Sequence, residues 1–138
     1  MYMLWWNVGV VTAGLIASTA LVSGAERRDL SGEYVMAGKG VGENDSPYVG
    51  TCTLKAVESL YDVSCFNSDT KHTYSGKGIG IGDQFSTVIG DVLKGDHSNA
   101  YYGEYLVVYR VAADGNMKGQ WVHALSGAHG EETLTLKR

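Results

Sequence analysis

The segment from Glu104 to Trp121, EYLVVYRVAADGNMKGQW, constrains the fold more than any other part of the chain. An apolar run, a turn on Asp114-Gly115-Asn116 and a second run ending in tryptophan form the pattern of an antiparallel β-hairpin. The same pattern fills the chain beyond residue 25. Short apolar or alternating runs are separated by Gly, Asp and Asn, and helical periodicity is absent. Eight strands are predicted, approximately Ser31 to Ala37, Tyr48 to Ala56, Tyr61 to Phe66, His72 to Ile79, Gln84 to Ile89, Glu104 to Val111, Met117 to His123 and Glu131 to Lys137. Their mostly short connections predict a small all-β domain, an antiparallel up-and-down meander that forms a barrel or a strongly curled sheet; closure of the first strand onto the last would remove exposed edges.

Charge is distributed unevenly. Met1 to Ala25 carries no charged side chain, whereas all fifteen acidic and all eleven Lys and Arg residues lie at or after Glu26. The apolar stretch Val8 to Val22 is diluted by Thr12, Gly14, Ser18 and Thr19, so it fits the core of a signal peptide better than a membrane span. Small residues at Ser23 and Ala25 place the expected cut after Ala25, which gives a signal peptide over 1–25 and one β-domain over 26–138. An uncleaved anchor is the alternative, with Trp5 and Trp6 at an interface. The expected location is periplasmic or secreted. A net charge of −4 without basic clusters argues against nucleic-acid binding. The sole basic pair, Arg27-Arg28, is expected in a solvated N-terminus.

Cys52 and Cys65 are expected to pair in an oxidising compartment. A turn at Glu58-Ser59 sets Cys52 opposite Cys65, Leu54 opposite Val63 and Ala56 opposite Tyr61, all on one face. Two free buried thiols are the alternative. Parity places Tyr34, Met36, Leu54, Val63, Ile79, Ile81, Phe85, one of Leu106 and Val107, Trp121, Leu134 and Leu136 inside. Trp121 is expected to be an interior anchor, with Gly119 leaving room for its indole. The alternating Gly76, Gly78, Gly80 and Gly82 suit tight bending or close approach of a large side chain; no following helix supports a phosphate-cradling loop.

No catalytic signature emerges. His72, His97, His123 and His129 lack metal-site spacing, although His97, His123 and His129 could meet at one barrel rim. Ser126 lies in a turn without a nucleophile-elbow context, and Glu131-Glu132 is expected to serve solubility. No metal, cofactor or enzymatic activity is expected. Candidate ligand-binding residues are Trp121, Tyr34 and Phe85 at a barrel mouth, with Tyr101 and Tyr102 on the long fifth-to-sixth connection either exposed for recognition or folded back as a plug over one barrel end.

The strings LSGEY (30–34), YVGT (48–51), YDV (61–63), SGKGIG (75–80), GDQF (82–85), VVYRV (107–111), Asp114-Gly115 with GQW (119–121) and GEETL (130–134) resemble a group of short exported bacterial β-barrel-like proteins, often labelled hypothetical or fibronectin-binding protein. The most specific part is the G-x-W after the Asp-Gly turn, followed by Gly-x-Glu. The resemblance implies a periplasmic or secreted barrel-like domain of calycin-like architecture and carries over no catalytic residues. Trp121 is the only tryptophan after residue 25, a departure from the several-tryptophan cage of avidin. The expected function is non-enzymatic binding of a small apolar ligand or of an extracellular or envelope protein partner. The alternative is a structural, envelope-associated interaction protein with a filled barrel and no pocket.

Overall fold

The computed structural model describes residues 28–42, 46–91 and 104–138. Eight strands follow in order: β1 (Gly32–Gly40), β2 (Pro47–Val57), β3 (Leu60–Asn67), β4 (His72–Ile81), β5 (Gln84–Asp91), β6 (Tyr105–Val111), β7 (Met117–His123) and β8 (His129–Leu136). Each pairs antiparallel with the next, and β1 pairs with β8 from Tyr34↔Leu136 to Gly40↔Gly130, closing the barrel. The predicted meander is therefore a closed barrel, with no helix among the described residues. The expected signal peptide and its cut lie outside the described residues.

Local chemistry sets the turns. At one end Glu58 (φ 54°) and Gly82 (φ 59°) take the left-handed conformation that two-residue hairpin turns require. The β6–β7 turn uses Gly115 (φ 89°), and the Asp114 carboxylate accepts a hydrogen bond from the Asn116 N–H. The β2–β3 register matches the expectation from the turn: Cys52↔Cys65, Leu54↔Val63, Ala56↔Tyr61. Cys52 and Cys65 are disulfide-bonded.

The interior differs between its two ends. At the end bearing these turns it is solid. Tyr34, Leu54, Tyr61, Phe85, Met117 and Leu134 are fully buried there, and residues 28–31 cross the opening as a plug. Leu30 is buried; the Tyr34 hydroxyl donates to the Leu30 carbonyl, and the Tyr61 hydroxyl donates to the Arg28 carbonyl. The Arg28 guanidinium, expected in a solvated, flexible N-terminus, is exposed but donates to the carbonyls of Ala112 and Ala113 and fastens the plug to the β6–β7 turn.

Two further expectations change. Ile79 (44 % exposed) and Ile81 (70 % exposed) face solvent, while Gly76, Gly78 and Gly80 occupy the inward positions of β4. The reason is volume: a Cβ on Gly78 would collide with the Phe85 ring, 2.6 Å from Cε2 and nearer still to Cζ, so a small barrel filled with aromatics needs bare backbone opposite them. Of the two candidates Leu106 and Val107, Val107 is the one that points inward, as one of the pair was expected to. Gly119 makes room for Tyr109 rather than for Trp121; the glycine beneath the indole is Gly130, whose added Cβ would lie 2.6 Å from Trp121 Cε2.

Candidate functional site

At the opposite end, where β1, β3, β5 and β7 finish, the side chains leave a cup of about 420 Å³, within the usual range for small-ligand sites. Its apolar wall is Met36, Ile89 and Val107; Tyr48, Tyr74, Tyr105 and Trp121 form an aromatic wall; Asn67 and Thr70 add polar groups, and Glu132 also lines it. Strand alternation delivers these residues, because inward positions on neighbouring strands fall side by side: Ile89 pairs with Tyr105 and Val107 with Trp121.

The aromatic wall is one connected cluster. Tyr105 meets Trp121 edge-to-face (centroids 5.8 Å apart, 76°) and meets Tyr74 in the same way (5.6 Å, 88°). It also contacts the His123 ring at 4.9 Å. Trp121 is half-buried, so it is neither the enclosed anchor expected from parity nor a surface residue. Its Nε1–H is nevertheless buried; it approaches the Tyr48 hydroxyl and so opposes the rise of that phenol, but no acceptor lies at full hydrogen-bond geometry.

Glu132 is the residue whose role the sequence reading missed. Only 7 % exposed, it points into the barrel instead of serving solubility. One carboxylate oxygen accepts from the Tyr48 hydroxyl at 2.7 Å and the other from Tyr109. A signal was available: Glu132 shares strand parity with Leu134 and Leu136, both assigned to the interior. Burial pushes the Glu132 carboxyl above its ordinary value, opposed by the two phenol hydrogen bonds. Burial first, then the charge of Glu132, raises the Tyr48 and Tyr109 phenols, so both remain donors.

A pH dependence follows from the sign of that shift. Between the ordinary and the raised value, the folded protein holds a proton on Glu132 that the unfolded chain has released. The group's contribution to stability is thus fully present below the ordinary value and is lost as pH rises through the folded one. Glu132→Gln should remove this component. Urea midpoints measured from acid to neutral pH should show the wild type losing stability relative to the variant as pH rises across that window; parallel curves would refute it.

The rim carries two acid–histidine pairs. His72 Nδ1 lies 3.0 Å from Asp91, and His123 Nε2 lies 3.1 Å from Glu104. His123 Nδ1 is 2.9 Å from Ser126 Oγ, which sets serine, histidine and carboxylate in a row. The contacts of this row are those of a turn cap. The Ser126 backbone N–H also donates to Nδ1 at 3.0 Å, and Ser126 Oγ accepts from the Ala128 N–H; the ring nitrogen a nucleophile would need is already engaged. Among the described residues no three His, Cys, Asp or Glu side chains converge as a metal site; His97 lies outside those residues.

Of the expected binding residues, Trp121 lines the cup. Tyr34 and Phe85 do not: they sit in the packed end, because aromatic bulk fills the barrel there before any space remains. Tyr101 and Tyr102 lie outside the described residues. A second concavity, about 560 Å³, is an open furrow on the outer wall beside Gly76 and Gly90, crossed by the Lys77–Asp62 ion pair. No protein-family model and no curated protein matches the chain.

Proposed function

We propose that this chain is an exported, non-enzymatic binding protein that takes a small, largely apolar ligand into the cup. The single observation that carries this reading is the asymmetry of the interior: one end is packed and plugged, while the other keeps about 420 Å³ lined by Met36, Ile89, Val107, Tyr105 and Trp121. Space left beside half-buried aromatics forgoes the contacts that filling it would give, and a ligand restores them. Export is supported by the charge-free first 25 residues and by the Cys52–Cys65 bridge, which suits an oxidising compartment. The resemblance to short exported bacterial barrel proteins supports it too.

A rival reading, docking to an envelope protein, is favoured by one observation. Val88, Leu106, Val108 and Val122 are exposed on the outer face of β5–β7, with Leu106 paired to both Val88 and Val122. Titration with the neutral fluorophore N-phenyl-1-naphthylamine separates the two. Ile89→Trp fills the cup from its wall and should weaken binding by about tenfold or more, as expected for a blocked apolar pocket, with the melting temperature nearly unchanged. Undiminished binding to Ile89→Trp would locate the probe on the outer face and sink the cup reading.

A further inference from the structure

We infer that the ligand of this cup is a small organic ammonium that also bears an oxygen acceptor, an inference that rests on the cup's role in binding. Three features of the cup lead there.

The first is charge. Glu132 lines the cup, its hydrogen bonds come from the Tyr48 and Tyr109 phenols, which are neutral donors, and burial without a cationic partner pushes its carboxyl toward the neutral form. Two more carboxylates, Asp91 and Glu104, stand at the rim, each on a histidine. Among the described residues, no Lys or Arg lines the cup. Ionising a buried carboxyl without a counter-charge is costly, and an entering cation supplies the counter-charge that favours the carboxylate. Among the described residues, an anionic ligand such as a fatty acid would meet Glu132 and two histidine-paired carboxylates and no lysine or arginine.

The second is the aromatic wall. Trp121 and Tyr74 stand nearly perpendicular to Tyr105 on either side, which forms corners of ring faces and edges, and Tyr48 adds a fourth ring beside Glu132. Ring faces carry the negative part of the aromatic quadrupole, and a cation enclosed by several of them gains most where water is excluded. Burial, then the charge of Asp91, raises the Tyr74 phenol; Tyr105 is raised by burial, with Tyr74, Glu104 and Asp91 adding to it.

The third is the indole. Trp121 Nε1 is the one buried side-chain nitrogen or oxygen among the described residues without a partner at full hydrogen-bond geometry; its approach to the Tyr48 hydroxyl, which opposes the rise of that phenol, falls short of one. A bare hydrocarbon would leave it unpaired, and a lone ammonium would be repelled by it. A ligand with its cation toward Glu132 and a carbonyl, ether or hydroxyl oxygen toward the indole edge satisfies both groups.

Butyrylcholine and 3,3-dimethylbutyl butyrate test this directly. They share an ester, an alkyl tail and shape, and differ in one atom, a quaternary nitrogen against a quaternary carbon. Calorimetric titration of the full chain should show butyrylcholine binding about tenfold or more tighter, the order expected of a desolvated cation–π site with a carboxylate. On binding, the Trp121 indole N–H resonance, observed in a Trp5→Phe/Trp6→Phe chain, should move downfield. Glu132→Gln should erase most of the preference. Should that variant fail to fold, Tyr105→Leu, at the half-exposed rim, should still reduce the ratio severalfold. Equal binding of the two esters, or tighter binding of the uncharged one, overturns the ammonium inference and leaves an apolar cup standing. If neither ester shifts the Trp121 resonance, both the inference and the cup reading fall.

Discussion

Phe85→Ala is expected to lower the unfolding free energy by about 4 kcal/mol, within the range for buried aromatic truncations. Phe85 is 0 % exposed at the centre of the packed end, edge-on to Tyr61 (5.6 Å, 88°) and stacked with Tyr109 (6.0 Å, 24°). The loss combines the transfer of a large apolar side chain, the void it leaves, and two aromatic pairs worth roughly 0.5 to 1.5 kcal/mol each. The void has little to collapse into it, because the facing positions of β4 are Gly78 and Gly80. Urea titration at 25 °C measures the effect, with Ile81→Ala as the control. Ile81 is 70 % exposed and its truncation should stay within about 0.5 kcal/mol. A Phe85→Ala loss below about 1 kcal/mol, under the range for buried truncations, would show that the barrel contracts around the missing ring.

Opening the Cys52–Cys65 bridge is expected to cost about 3 kcal/mol, the loop-entropy figure for a closure this short. The cysteines are directly opposite on β2 and β3 and both are buried, so the folded geometry needs little change when the bond is absent. The penalty falls on the unfolded chain, which gains freedom. Urea unfolding with and without dithiothreitol should therefore give a lower midpoint for the reduced chain, and Cys52→Ala/Cys65→Ala should fall at least as far because it also loses buried volume. Coincident midpoints for the oxidised and reduced chains would show that the two-residue turn at Glu58-Ser59 already holds the hairpin in the denatured state.

These two cases differ in how far the sequence foretold them. The cysteine pairing depends on one local turn, so counting outward from Glu58-Ser59 reaches the right partner. The neighbourhood of Phe85 depends on how β3, β4, β5 and β6 stack around the barrel. Parity along β4 offers two faces, and apolar character alone selects the one with Ile79 and Ile81. The observed choice is the glycine face, because the ring of Phe85 needs that space and solvent tolerates two isoleucines on a barrel wall.

The cup was legible only in pieces. Trp121 was recognisable as an inward residue, and Glu132 was recognisable by parity with Leu134 and Leu136. Their partners were not: Tyr48 lies 84 residues from Glu132 in sequence, and Gly130 comes beneath Trp121 only through the β7–β8 pairing. By itself the sequence determined the all-β class, the strand order, the hairpin turns and the cysteine register, all of which follow from period-two alternation and turn chemistry within about ten residues. Only the tertiary structure decided that β1 closes on β8, that residues 28–31 plug one end, and that at the other end the described residues leave a cup beside a buried carboxyl. Those outcomes depend on summed side-chain volume and on contacts between strands distant in the chain, and neither quantity can be read from local pattern.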